Sequence, residues 1–312
     1  MGLINNMSYY CYLFIGGTTK AGTTSLFYYL ADHPEICGSI IKETGFFLDN
    51  DYPFPYSKEW NYEDGINKFN IFFSDCVKEN IRLEATPTYL YSPGTPERIS
   101  SSFSKVKWVF ILREPISRLV SCYRFNKQIG NLEKSISFRE YIEKQVEFRE
   151  WRGSRCLVTG KYSNFLVRYY NLYPKEDILI INYQKLSTEP ITVLKRISGF
   201  IGVDATFYNT YNFEVFNPTM SVRNSWLHKW YLAVGRRFSQ RRFIHNSEVR
   251  RITQHASQII DPLYKQINSR NPESVEISED LGVWLTGYYK QDRVALSELF
   301  SLEGFFWDFE FI

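Results

Sequence analysis

The sequence predicts an α/β fold: a parallel sheet flanked by helices, followed by a helical C-terminal lobe. Three observations predict it. Val106 to Leu112 (VKWVFIL) is a near-continuous apolar run bounded by charge, and Ile178 to Ile181 (ILII) repeats the pattern, as strands covered on both faces do. The aromatic and β-branched run Tyr9 to Ile15 stops at Gly16-Gly17 and gives way to a helical stretch, so strand, glycine loop and helix follow one another. Helical patterns then separate the apolar runs, which is the arrangement of a doubly wound sheet.

Taken in order, Tyr9 to Ile15 is the first strand, and Thr23 to Leu30 is a helix closed by Asp32-His33-Pro34. Arg82 to Ala85 is a weaker strand just before Thr86-Pro87. Helices are predicted over Pro96 to Ser102, Pro115 to Asn126, Phe138 to Phe148, Ser163 to Leu172 and Val193 to Ile201, with Val106 to Leu112 as the central strand. After Asp204 the texture changes to long helical patterns, Asn224 to Phe238, Glu248 to Ile267 and Val283 to Leu299, without another clear strand. No repeat, low-complexity segment or Pro/Gly/Ser-rich linker divides the chain. One domain over 1–312 is therefore expected, with 8–202 as an α/β nucleotide-binding core and 203–312 as its helical part.

Composition bounds the function. With 37 Lys and Arg against 34 Asp and Glu, the charge of +3 is too small to make nucleic acid the main partner, so any anion site must be local. The basic stretch Arg223 to Arg251 reads either as a solvated helix and turn or as a surface for an anionic acceptor. Aromatic residues reach 18%, mostly as core, with enough left to line a cleft. The five cysteines form no CxxC pair and read as reduced, mostly buried thiols. Met1 to Ile15 lacks a charged secretory start, and its apolar run is far short of the ~18 residues of a membrane span, so a cytoplasmic location is expected and no membrane partner.

The segment Gly16-Gly17-Thr18-Thr19-Lys20-Ala21-Gly22-Thr23-Thr24-Ser25 lies between a strand and a helix, where unpaired amides and the helix dipole converge on an anion. Thr23, Thr24 and Ser25 add hydroxyls and Lys20 a mobile charge, so phosphate or a similar group belongs there. This is a P-loop-type arrangement, yet the lysine precedes Gly22 by two instead of following it. Neither apolar strand ends in an Asp for magnesium, since Leu112 runs into Arg113 and Ile181 into Asn182. A P-loop small-molecule kinase is thereby disfavoured; a non-catalytic adenine-nucleotide binder is the other alternative.

The string Ile15 to Leu26 (IGGTTKAGTTSL) resembles the 5′-phosphosulfate loop of sulfotransferases that use 3′-phosphoadenosine 5′-phosphosulfate (PAPS), above all the heparan sulfate branch and its bacterial relatives. Four more segments agree in order: Asp32 to Ile36 (DHPEI), Lys42 to Phe47 (KETGFF), Glu84 to Leu90 (EATPTYL), and Leu112 to Pro115 continuing to Ser121-Cys122-Tyr123. A weaker likeness continues through Gly160-Lys161-Tyr162 and Asn182 to Leu186 as far as Asn217 and Arg223, so that most of 9–225 is covered. The resemblance implies that Gly17, Thr18, Thr19, Lys20, Ala21, Gly22, Thr23, Thr24 and Ser25 bind the 5′-phosphosulfate. Arg113 and Ser121 would bind the 3′-phosphate, with Arg223 as a third contributor. The residues agree by themselves for Arg113, an arginine at the end of a buried strand, where open sheets bind ligands and where a guanidinium grips phosphate with two hydrogen bonds.

The same resemblance implies an enzyme that moves a sulfuryl group from PAPS, leaving 3′-phosphoadenosine 5′-phosphate (PAP), to a hydroxyl or amine of a carbohydrate or small-molecule natural product. Lys20 would stabilise the leaving phosphate, and a bound metal is not needed. Glu43 corresponds to the family's glutamate base; Phe46 and Phe47 would desolvate it, and Lys42 would pair with it. His33 belongs to a helix-ending turn, and His228, His245 and His255 fall in the C-terminal lobe. Some relatives have a lysine where Ala85 stands, and Glu84 reads as structural. The rings from Phe47 to Phe73 are expected to contribute an acceptor wall or lid. Acceptor identity and oligomeric state are not legible.

Overall fold

Five parallel strands form the sheet in the order β2-β3-β1-β4-β5, with β1 at Cys11–Gly17, β2 at Ile36–Gly38, β3 at Ile81–Glu84, β4 at Val106–Leu112 and β5 at Ile178–Asn182. The structure is a computed structural model and describes residues 9–52, 60–147, 155–213, 221–222, 227, 230–231, 264, 267–270 and 274–300. Helices are α1 (Thr23–Ala31), α2 (Thr95–Ser102), α3 (Pro115–Ile129), α4 (Phe138–Glu147), α5 (Ser163–Leu172), α6 (Tyr183–Thr188), α7 (Pro190–Ile201) and α8 (Glu279–Phe300). The expected strands, and the expected helices that fall within the described residues, are present with ends displaced by a few residues. Because β3 lies between β2 and β1, the chain must pass β1 to reach β4, and that reversal opens a crevice at the carboxyl ends of β1 and its neighbours.

The two faces of the sheet differ in chemistry, because side chains alternate along each strand. Leu13, Ile15, Val109, Ile111, Leu179 and Ile181 join Leu26 and Leu30 of α1 and Leu194 and Ile197 of α7 in a mainly aliphatic cluster. The alternate residues Tyr12, Phe14, Trp108 and Phe110 enter an aromatic layer with Phe47, Phe69, Phe103 and Tyr169. Tyr12 stacks on Phe103 with centroids 3.8 Å apart, and Trp108 meets Tyr169 edge-on at 4.8 Å. Most of the aromatic surplus within the described residues is therefore core. Of the rings expected to wall an acceptor cleft, Phe47, Phe69, Phe72 and Phe73 are buried in this layer, while Trp60 and Tyr62 pack on Phe72 and Phe47. Phe54 and Tyr56 lie outside the described residues.

The chain divides into two units. The first, Met1–Arg118 with Cys156–Asn217 and Gly282–Ile312, contains the sheet. The second is Leu119–Arg155 with Pro218–Leu281. Within it Tyr123 packs against Phe138 and Tyr141, Arg139 pairs with Asp280 at 2.6 Å, and Tyr231 stacks on Tyr264. It also holds a short antiparallel pair, β6 (Ser221–Val222) with β7 (Ser269–Arg270), where no further strand was expected. Two-residue strands carry no periodicity to read. The other unexpected strand, β2, is three residues ending in glycine and exists through pairing with Ile81, Arg82 and Leu83. The two helical patterns between Asn224 and Ile267 lie mostly outside the described residues.

The expectation of five reduced thiols is overturned. Cys37 and Cys76 form a disulfide with Cα atoms 5.7 Å apart, while Cys11, Cys122 and Cys156 remain thiols. They are separated by 39 residues and meet because the chain approaching β3 returns beside β2. By the loop-entropy relation, closing such a loop stabilises by about 4 kcal/mol. Reduction should therefore lower the thermal midpoint. Thiol titration of the unfolded, unreduced chain should count three groups, and a count of five would refute the pairing.

Candidate active site

Of the three helices that start at the carboxyl edge of the sheet, two are closed by side chains. At α3 the Glu114 carboxylate accepts from the amides of Ile116 and Ser117, and at α6 the Asn182 side chain accepts from the Gln184 amide. Helix α1 begins instead at Gly22, with no side-chain cap. An uncapped helix start of this kind favours an anion through its dipole. The loop before it is held tightly. Gly17 has φ 124°, and a Cβ there would lie 2.4 Å from the Ile111 carbonyl oxygen; Gly22 has φ 78°, and its Cβ would touch the Tyr183 ring at 3.0 Å. Lys20 is itself left-handed at φ 68°, an unusual state for a residue with a side chain.

The structure brings the loop and the strand-end arginine together. Arg113, just after β4, donates from Nη1 to the Lys20 carbonyl at 3.0 Å, and its guanidinium lies 4.7 Å from the centre of the Tyr183 ring. Thr19, Lys20, Gly22 and Thr24 are partly exposed, while Ala21, Thr23 and Ser25 are buried. Thr18 is fully buried and serves the protein interior: its amide donates to the Ile111 carbonyl, and its hydroxyl accepts from Arg118 Nε at 2.6 Å and from the Tyr91 hydroxyl at 2.7 Å. Arg118, only 1% exposed, also donates to Thr159 Oγ1 at 2.6 Å and to the Cys156 carbonyl at 3.2 Å. Ser121 is buried on α3 and belongs to the second unit; Arg223 lies outside the described residues.

Glu43 sits in the chain beyond β2, again left-handed at φ 66°, and pairs with Lys42. Its side chain is 38% exposed, because the neighbouring Phe46 and Phe47 turn into the aromatic layer instead of covering it. Glu84, at the end of β3, is its opposite: 1% exposed, with Oε1 accepting from the Thr44 amide at 3.0 Å, Thr44 Oγ1 at 2.9 Å and Thr86 Oγ1 at 2.6 Å. Burial pushes its carboxyl up to about 7, against the lowering effect of the Thr86 and Thr44 hydrogen bonds and of Lys42. His33 is structural, accepting at Nδ1 from the Glu35 amide and donating from Nε2 to the Asp204 carbonyl.

The loop, the strand-end arginine and the exposed glutamate sit on a chain that matches the sulfotransferase domain family over residues 12–257. The chain belongs to that family. Its fold agrees with a solved sulfotransferase from Alicyclobacillus acidocaldarius, at TM-score 0.63 and 21% identity over 94% of this chain and 97% of the other. Among curated relatives, human bifunctional heparan sulfate N-deacetylase/N-sulfotransferase 3 is 31% identical over 199 residues, and the human form 2 is 28% identical over 196. Those alignments cover 60% and 61% of this chain and 22% of each relative, so the chain spans about a fifth of their length.

Within this sulfotransferase domain, the sequence singled out the loop and the strand-end arginine and missed the residues that hold them. Arg118, Tyr91 and Thr159 fix the loop through Thr18, although Arg118 lies inside a segment that carries the family resemblance. Arginine is rarely buried, so its place on a helix gave no sign of an interior role. Tyr183, beside both Gly22 and Arg113, likewise lay within a quoted segment without a role.

Two predictions follow from buried groups. Thr18→Val removes the acceptor shared by Arg118 and Tyr91 and should cost about 1–3 kcal/mol in urea unfolding; an unchanged midpoint would show that the hydroxyl holds nothing. The folded protein keeps the Glu84 proton up to about pH 7, whereas the unfolded chain releases it near 4.5. Its stabilising contribution is thus complete below about pH 4.5 and lost as pH rises through about 7. Glu84→Gln, with no proton to lose there, should reduce the fall in stability across that window by on the order of 3 kcal/mol. Parallel stability curves for the two proteins would refute the shift.

Proposed function

We propose that this chain is a PAPS-dependent sulfotransferase acting on a hydroxyl or amine of a carbohydrate or small-molecule natural product. The observation that carries this reading is the hydrogen bond from Arg113 to the Lys20 carbonyl, which joins the lysine-bearing loop to the strand-end arginine at one edge of the sheet. A phosphosulfate suits this edge because α1 starts uncapped and the close passage at Gly17 and Gly22 leaves main-chain amides, not side chains, to line the approach. Residues 19–25 would hold the 5′-phosphosulfate, with Thr18 supporting them from below, and Arg113 would take the 3′-phosphate.

In the transfer, a bond forms between the acceptor oxygen or nitrogen and sulfur while the bond from sulfur to the 5′-phosphate oxygen breaks. The electron pair leaves with PAP, and the acceptor proton goes to Glu43. Lys20 offsets the charge gathering on the departing phosphate. Glu43 is suited to receive the proton because its carboxylate is exposed while its backbone is held in a left-handed turn. The names of the curated relatives, which carry N-sulfotransferase activity on heparan sulfate, favour an amine-bearing sugar as one acceptor to try. A cytosolic setting in natural-product biosynthesis stays part of the proposal. No helix among the described residues is long and apolar enough to cross a membrane, and the Cys37–Cys76 bond is the feature that weighs against the cytosol, since such bonds persist in oxidising compartments.

Calorimetry should show PAP binding well above ATP with magnesium, and the reverse preference would overturn the assignment. Turnover is read as PAP released from PAPS with a panel of de-N-sulfated heparin, a simple phenol and a hydroxylated polyketide. Lys20→Ala should lower it by about 10²–10³-fold. Glu43→Gln should lower it by about 10²–10⁴-fold while PAP affinity is kept, and unchanged turnover would remove Glu43 from the base role.

A further inference from the structure

The turn that carries Glu43 is held more completely than a surface loop requires. Its amides are satisfied one after another: Glu43 donates to the Ala85 carbonyl at 2.9 Å, Thr44 to Glu84 Oε1 at 3.0 Å, Gly45 to Thr86 Oγ1 at 3.1 Å, Phe46 to Thr44 Oγ1 at 3.3 Å and Phe47 to the Tyr89 hydroxyl at 3.3 Å. Four of these five acceptors belong to the segment Glu84 to Tyr89, at the end of β3 and in the short 3-10 helix Pro87–Tyr91. Glu84 Oε1 is the hub, taking three donors at once, while its Oε2 has no hydrogen-bond partner among the described residues.

Such an arrangement has a cost and a direction. A buried carboxyl with one oxygen unpaired costs free energy to keep, and Glu43 and Gly45 both hold positive φ, at 66° and 64°. None of the five amide bonds touches the Glu43 side chain, which is left partly in solvent beside Lys42. The backbone of one residue is fixed and its carboxylate is presented.

We propose that Glu84 is a positioning residue whose buried carboxyl, through Thr44 and Thr86, fixes the left-handed turn that presents the Glu43 carboxylate at the sheet edge. This inference rests on the reading of Glu43 as the base. It gives a function to the Glu84-Ala85-Thr86-Pro87-Thr88-Tyr89 segment, in which the Glu84, Thr86 and Tyr89 side chains bond to the turn.

The test is a double-mutant cycle between Glu84→Ala and Glu43→Gln, with turnover read as PAP release from PAPS with de-N-sulfated heparin and donor-site integrity as PAP affinity. Glu84→Ala should lower kcat at least about tenfold, through loss of placement of the base, with PAP affinity within about twofold. In the Glu43→Gln background the same change should lower turnover by less than about twofold, since no base remains to be misplaced. An equal loss in both backgrounds, or a PAP affinity that falls in step with kcat, would overturn the proposal. Full turnover in Glu43→Gln alone would instead overturn the base reading, and this inference with it. If Glu84→Ala does not fold, Thr44→Val breaks the same link through its hydroxyl; the cycle is then run with that variant and judged by the same outcomes.

Discussion

The close passage of the end of β1 against β4 is the constraint on which the site depends. At Gly17 the backbone runs so near Ile111 that no side chain fits, and one residue later the Thr18 amide donates to the Ile111 carbonyl. The chain is thereby turned off the sheet at a fixed point. Thr18 is delivered to Arg118, and Lys20 to Arg113, two contacts between residues 100 and 93 positions apart. A looser passage would still permit a strand and a helix, but it would not fix the distance between the loop and the arginine, each proposed to receive an anion.

The sheet can tolerate such a demand at its edge because its two faces are filled differently. On the aliphatic face α1 and α7 pack by shape on small branched residues, and α1 carries the loop with it. On the other face the rings of Tyr12, Phe14, Trp108 and Phe110 form a thick layer continuous with Phe46, Phe47 and Phe69. That layer anchors the segment leaving the Glu43 turn. Burying two adjacent phenylalanines immediately after a polar turn pins one end of it, and the amide bonds to the β3 end pin the rest.

What the sequence disclosed was whatever depends on neighbours in the chain. The glycine loop, the apolar run of β4, the helix starting at Thr23 and the arginine following Leu112 all carry local signals, and the structure brings Lys20 and Arg113 together. What it hid depends on partners far along the chain. Strand β2 exists through its pairing with β3, Cys37 reaches a cysteine 39 residues away, and the interior role of Arg118 requires Thr159 and Cys156. The aromatic segment after Glu43 was hard to divide for a related reason: composition counts rings but does not say which side of a sheet they face.

Glu43 and Glu84 show how two identical side chains on adjoining segments come to differ. Both lie at the same sheet edge, and the Glu43 amide bonds the carbonyl next to Glu84. Solvent and Lys42 reach the first carboxylate, and no donor from the turn holds it. The second is enclosed, and three donors converge on one of its oxygens, so any change in its state is felt by the turn. A proton acceptor has to exchange with its substrate, whereas a hub has to stay fixed. On the proposed reading the exposed group takes the proton and the buried one holds it in place, two roles that ask for opposite surroundings.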